Sequence, residues 1–216
     1  LLVIRPALSA VGTTGEALKR RLASRSTLLV GVAIAALGVG SIGQLFLQTT
    51  TIYEVGLVET LVSPLVSVVT DTGWGRSWLW RMAFWVALVG VLAVFALSRS
   101  QRGWDPVRRG RSETLLLWAL VLLSAGVLLA VSVTSHAAAT AQITTQAVLN
   151  DYVHVLAAGV WVGGLFHLVV VIPTLTGTTT DTGGHGPLFT VVSRFSVVAA
   201  LSVVTVVLTG IFAAWA

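Results

Sequence analysis

The chain has 216 residues, 56% of them hydrophobic and only 10% charged, and its mean hydropathy is +0.93. Soluble domains carry roughly 25% charged residues, so this composition excludes an ordinary water-facing surface. The net charge of +5 comes without base-stacking aromatics or a nucleic-acid motif, and the lack of cysteine excludes disulfides, thiolate metal sites and Cys-x-x-Cys redox chemistry.

The chain opens on Leu1, and Leu-Leu-Val-Ile-Arg-Pro reads as the tail of an earlier span, so further sequence is expected upstream. Residues 1–26 then form a basic linker holding Arg5, Lys19, Arg20, Arg21 and Arg25. No ionised side chain occurs in 26–53, 82–98, 114–135 or 195–216, and 152–180 carry only His154 and His167. About 20 such residues cross the hydrocarbon layer as a helix. The expected fold is therefore all-α, a polytopic transmembrane helical bundle of about five spans: 27–47, 77–98, 113–134, 148–172 and 189–214.

Short loops rich in Lys and Arg stay on the cytoplasmic side. The 1–26 linker and the 99–112 loop, with Arg99, Arg102, Arg108, Arg109 and Arg111, are placed there. That puts 48–76 and 135–147 outside and 173–188 inside. The outer 48–76 segment is apolar on one side and contains Pro64, which predicts an interfacial or partly re-entrant helix rather than a sixth span. Its Glu54, Glu59 and Asp71 give a weak acidic field. Arg76 and Arg81 among Trp74, Trp78, Trp80 and Trp85 read by default as snorkelling cations in an interfacial tryptophan belt.

Ionisable groups at membrane depth are costly and mark functional candidates. Three of them fall at the outer ends of spans three and four: His136, Asp151 and His154. Asp151 and His154, three residues apart, share a helix face, and the short 135–147 link makes spans three and four neighbours. The trio can converge as an N/O donor set, which suits copper among other ions. Asp151 has three readings: a direct ligand, an acceptor that fixes a histidine tautomer, or simply the N-cap of span four.

His167 lies about 20 Å deeper along the helix, at 1.5 Å per residue, as a second station on a path or a structural hydrogen-bonder. Met82 is the chain's single thioether, a weak candidate that argues against a methionine relay. His185 in the Thr/Gly run 174–186 reads as solvated. Gly163-Gly164 permits close helix approach, and Ser202, Thr205 and Thr209 read as interhelical hydrogen-bonders.

Several ordered motifs resemble the bacterial copper resistance protein D (CopD) family. They are Ser135-His136-Ala137-Ala138-Ala139; Asp151-Tyr152-Val153-His154 running into Trp161-Val162-Gly163-Gly164-Leu165; Arg194-Phe195-Ser196; Leu208-Thr209-Gly210; and Gly73-Trp74-Gly75-Arg76-Ser77-Trp78-Leu79-Trp80-Arg81. Arg5-Pro6 is similar to the end of that family's first span, the remainder of which would precede Leu1. The resemblance covers nearly the whole chain. It implies a protein of the bacterial inner (plasma) membrane that transports copper without covalent chemistry, inward from the periplasmic side, with a periplasmic copper-binding partner of the CopC type. By position, His136, Asp151 and His154 would contact the metal. Near-absence of methionine departs from what soft-ligand copper exchange would use.

Two other readings stay open. Histidines on neighbouring helices are able to ligate haem b non-covalently, with His136 paired to His154 or His167 in an electron-transfer protein or oxidase. A membrane scaffold or sensor that binds copper without moving it is the third.

Overall fold

The computed structural model describes residues 16–61, 64–100, 106–135, 144–176 and 187–215, without the side chains of 16–20, 61, 99–100, 106–110, 175–176 and 187. Six helices follow in order: α1 Glu16–Tyr53, α2 Pro64–Asp71, α3 Gly73–Ser100, α4 Pro106–Ser132, α5 Thr144–Thr176 and α6 Pro187–Trp215, with a 3-10 turn at Glu59–Leu61 before α2. No strand occurs among the described residues. In hydrocarbon every backbone N–H and C=O must be satisfied within the segment, which makes helix the default for such sequences. Five helices are long and apolar enough to cross a membrane, over Arg21–Tyr53, Gly73–Ser98, Arg111–Ser132, Thr144–Thr174 and Leu188–Trp215. The protein is an all-α, multi-pass membrane protein, as its charge-free runs predict.

The ends of the helices follow local chemistry. Three begin on proline, Pro64, Pro106 and Pro187, where the missing N–H has no helical partner to lose and φ is already set. α1 stops where Glu54 takes a left-handed φ of 53°, the usual geometry just past a helix C-terminus. The chain is then stapled: the Gly56 N–H donates to Glu59 Oε2 at 2.9 Å and the Glu59 N–H to the Gly56 carbonyl at 3.1 Å. The Thr70 hydroxyl donates to Asp71 Oδ1 at 2.7 Å. Two of the three carboxylates of 48–76, Glu59 and Asp71, thus serve local structure. Within 48–76, α1 continues to Tyr53, and α2 supplies a short helix of only 8 residues.

Thr72 caps α3, its Oγ1 accepting from the Gly75 N–H at 2.8 Å. A Cβ on Gly75 would collide with the backbone of Val68 and Val69, so this turn between α2 and α3 requires glycine.

The chain divides into two compact units, Leu1–Val30 with Asn150–Ala216, and Gly31–Leu149. In the Gly31–Leu149 unit, α3 runs against α4 and carries α2 beside its start. Two of the tryptophans expected in an interfacial belt instead tie α3 to α1. Trp85 Nε1 donates to the Ile34 carbonyl at 2.7 Å and Trp78 Nε1 to the Ser41 carbonyl at 2.9 Å. Gly38 leaves room for the Trp85 indole, which a Cβ there would meet at 2.5 Å. Lipid tails are as apolar as leucine, so close packing and interhelical hydrogen bonds hold such helices together. Trp80, 66% exposed, does face outward.

In the other unit, Gly164 of α5 lies under the Phe195 ring of α6, while a Cβ on Gly163 would meet nothing within 4 Å. Only the second glycine of the pair is there for close approach. Leu28, Val169, Leu201 and Ile211 are among the many large apolar side chains left exposed, the surface a helix offers to lipid.

Candidate metal centre

α5 begins at Thr144, so Asp151 is two turns inside the helix and its backbone N–H is already paired. The N-cap reading of Asp151 is overturned. The polar Thr144-Thr145-Gln146 turn is helical and carries the start of α5 past the predicted boundary. Asp151 is half-buried and accepts no hydrogen bond among the described residues. One helical turn along the same face sits His154, also half-buried.

His154 is held by α6. Its Nδ1 lies 2.8 Å from Thr209 Oγ1. The Thr209 hydroxyl faces the Thr205 carbonyl at 2.7 Å and the Val206 carbonyl at 3.1 Å, and carbonyls only accept. With its single proton on its own helix, Thr209 offers His154 a lone pair. In that arrangement Nδ1 carries the proton and donates. A neutral imidazole has one N–H and one lone pair, so a proton on Nδ1 leaves the lone pair on Nε2. Nε2 has no hydrogen-bond partner among the described residues. Asn150 reinforces the geometry, its Nδ2 donating to the Thr209 carbonyl at 3.0 Å. Gly210 completes the cradle, its Cβ position 3.9 Å from His154 Cε1.

Thr209 appears in the sequence beside Ser202 and Thr205 as an undifferentiated set of hydroxyls. The structure separates them. Thr205 returns its proton to the Leu201 carbonyl at 2.8 Å, and Ser202 is buried. Thr209 alone of the three reaches a candidate ligand.

His136 and His185 lie outside the described residues, as does most of the link after α4. Among the described residues, no group of three or more His, Cys, Asp or Glu side chains gathers in a metal-sized cluster. Asp151 and His154 are thus the described part of the expected set. Met82 is half-buried on α3, in the Gly31–Leu149 unit.

His167 is engaged in a different arrangement. Ser26 Oγ of α1 lies 3.5 Å from His167 Nε2. Next to it, Arg25 Nη1 donates to Thr174 Oγ1 at 2.9 Å and to the Val170 carbonyl at 3.3 Å. Pro173 sits inside α5 at this level and supplies no N–H to the Val169 carbonyl four residues back; Arg25 binds the helix beside that gap, at the Val170 carbonyl. A guanidinium at that point is a poor neighbour for a metal cation, and the structural reading of His167 fits this setting.

Arg81 departs most from its sequence reading. It does not snorkel: it is only 5% exposed, whereas Arg76 is exposed. Its Nη1 donates to Gln44 Oε1 of α1 at 2.7 Å, and its guanidinium carbon lies 6.0 Å from the Trp74 ring centroid, within cation–π reach. The signal available in the sequence is an arginine two turns into an apolar helix. The partner, 37 residues upstream, leaves no local trace.

No known family's sequence pattern matches the chain, and no solved structure matches it. One curated protein does. The chain is 28% identical over 162 residues to the copper transport protein CutJ of Bacillus subtilis (strain 168). The match takes in 70% of this chain and 26% of CutJ, so the chain spans about a quarter of that relative's length.

Proposed function

We propose that this chain is a membrane part of a bacterial copper transport protein and that His154 Nε2 is its metal-capturing atom. Copper enters the reading through the similarity to CutJ and through the motifs shared with the copper resistance protein D family. The observation that supports the site is the Thr209 contact on Nδ1, which leaves His154 Nε2 available to ligate one turn from Asp151, a carboxylate without a hydrogen bond among the described residues. Neutral imidazole and carboxylate form a donor pair suited to copper, and a ligand whose far nitrogen is held by hydrogen bonding is the usual second-shell design. His136 is proposed as a further ligand. The protein moves the ion inward across the plasma membrane from the side where a CopC-type partner would deliver it, with no bond made or broken in a substrate.

The test is copper titration of the purified protein. Wild type binds the ion, His154→Ala loses at least about 100-fold in affinity as a directly ligating group would, and both His154→Ala and His136→Ala abolish isotopic copper uptake into proteoliposomes. Unchanged stoichiometry and affinity in His154→Ala would remove the site. Binding without flux in the wild type would reassign the protein to copper sensing or storage.

A further inference from the structure

The guanidinium of Arg81 has five N–H donors in a fixed planar fork. Gln44 Oε1 takes one of them through Nη1, and Nε and Nη2 are buried without any hydrogen-bond partner. These two nitrogens are not a random remainder. Nε and Nη2 lie on the same edge of the guanidinium, their N–H groups parallel, and that edge is the one that meets two oxygens of a carboxylate or phosphate side by side. The neighbouring indoles offer no acceptor: Trp78 Nε1 is committed to the Ser41 carbonyl, and Trp74 presents its ring. No carboxylate of the described residues pairs with Arg81.

A buried charge persists when something compensates it, by pairing or by full hydrogen bonding. Here the compensation is one neutral amide at Nη1 and one aromatic face 6.0 Å from the guanidinium carbon, and neither accepts a hydrogen bond from Nε or Nη2. We propose that the Nε/Nη2 edge of Arg81 is a binding site for an oxyanion, a carboxylate or phosphate group held bidentately within the Gly31–Leu149 unit at the start of α3. Gln44 and Trp74 orient the guanidinium, and the unfilled edge selects two-oxygen ligands over spherical anions such as chloride. Its preference in charge is opposite to that proposed for His154.

The full chain in maltoside micelles, which contain no oxyanion, supplies the test. Its melting temperature is followed at constant ionic strength as chloride is exchanged for phosphate or acetate, and in a parallel arm as phosphatidylglycerol is added against diacylglycerol. Wild type is stabilised by at least one of the three oxyanions. Arg81→Lys, which keeps a cation but loses the two-donor edge, needs roughly tenfold more ligand for the same shift, as expected for loss of one hydrogen bond to a charged group. Arg76→Lys, the same change at the exposed neighbour, responds as wild type does. A response to phosphate or acetate assigns the ligand to small anions, and a response to phosphatidylglycerol alone assigns it to a lipid headgroup. A wild type indifferent to all three, an Arg81→Lys that responds equally, or an Arg76→Lys that loses the response overturns the proposal. Should Arg81→Lys fail to fold, the wild-type and Arg76→Lys titrations still decide it.

Discussion

His154 and Arg81 are each a polar side chain on a largely apolar helix, each tied by one short hydrogen bond to a neutral residue of another helix. They end in opposite chemical states. Thr209 occupies Nδ1 of the imidazole and leaves Nε2 of His154 without a hydrogen bond among the described residues. Gln44 takes one N–H of the guanidinium and leaves two nitrogens of Arg81, Nε and Nη2, without a hydrogen bond. Burial alone would rank Arg81 as the more conspicuous group. Counting protons and lone pairs separates the two: one is prepared for a cation, the other for an anion. For polar residues in a membrane helix, the informative question is what the partner leaves unused.

The comparison breaks most visibly at Thr209. Thr209→Val keeps the shape and removes the acceptor, so His154 has no reason to hold its proton on Nδ1. The tautomer is expected to swing toward Nε2–H, which consumes the ligating lone pair. Copper affinity should fall roughly 10- to 100-fold, the usual range for loss of a second-shell partner, and Thr209→Ser should restore it. Nitrogen-15 NMR of the metal-free protein reads the tautomer directly, and titration reads the affinity. An unchanged Nδ1–H tautomer in Thr209→Val would show that the hydroxyl does not set it.

A smaller effect sharpens the other side. Gln44→Leu strips Arg81 of its remaining acceptor and should cost about 2 kcal/mol, the penalty for a buried donor left unsatisfied. Arg81→Met removes the charge with its donors and replaces it with apolar volume, a change that is often near neutral or stabilising. Unfolding in detergent should therefore rank Gln44→Leu below Arg81→Met. The reverse order would mean that the guanidinium is worth more to the fold than its hydrogen bonds show.

Much of this architecture is readable from charge alone, because a run of twenty uncharged apolar residues has few fates other than a span. Boundaries read less well. Helices α1 and α5 extend into polar stretches, Arg21–Arg25 and Thr144–Gln146, where hydropathy falls but backbone hydrogen bonding does not. That extension is what moved Asp151 from a cap position to a helix interior. The pairing of Asp151 with His154 is legible because it is local, set by the helical repeat. The Thr209 and Gln44 contacts span 55 and 37 residues, and one sequence carries no record of which hydroxyl or amide folding will bring across. The tryptophans mislead for a related reason. Trp78 and Trp85 have the composition of an interfacial belt, but the carbonyls that receive their N–H groups belong to another helix.

The smallest expected effects test the packing that brings α6 to His154. Gly163 and Gly164 are adjacent and chemically identical, so substituting each with alanine isolates the environment from the residue. Alanine has the higher helix propensity, by about 1 kcal/mol over glycine, and at Gly163 nothing lies within 4 Å of the new Cβ. Gly163→Ala should therefore be neutral or stabilise by up to that amount. At Gly164 the same methyl group runs into the Phe195 ring, and overpacking of this kind costs about 1–3 kcal/mol. The propensity gain offsets part of it, which leaves a net loss of about 1 kcal/mol. Phe195→Leu in the Gly164→Ala background should recover stability if the ring is the obstacle. If Gly163→Ala proves the more damaging of the two, the face that α5 turns toward Phe195 is misassigned, and the direction of the helix carrying His154 with it.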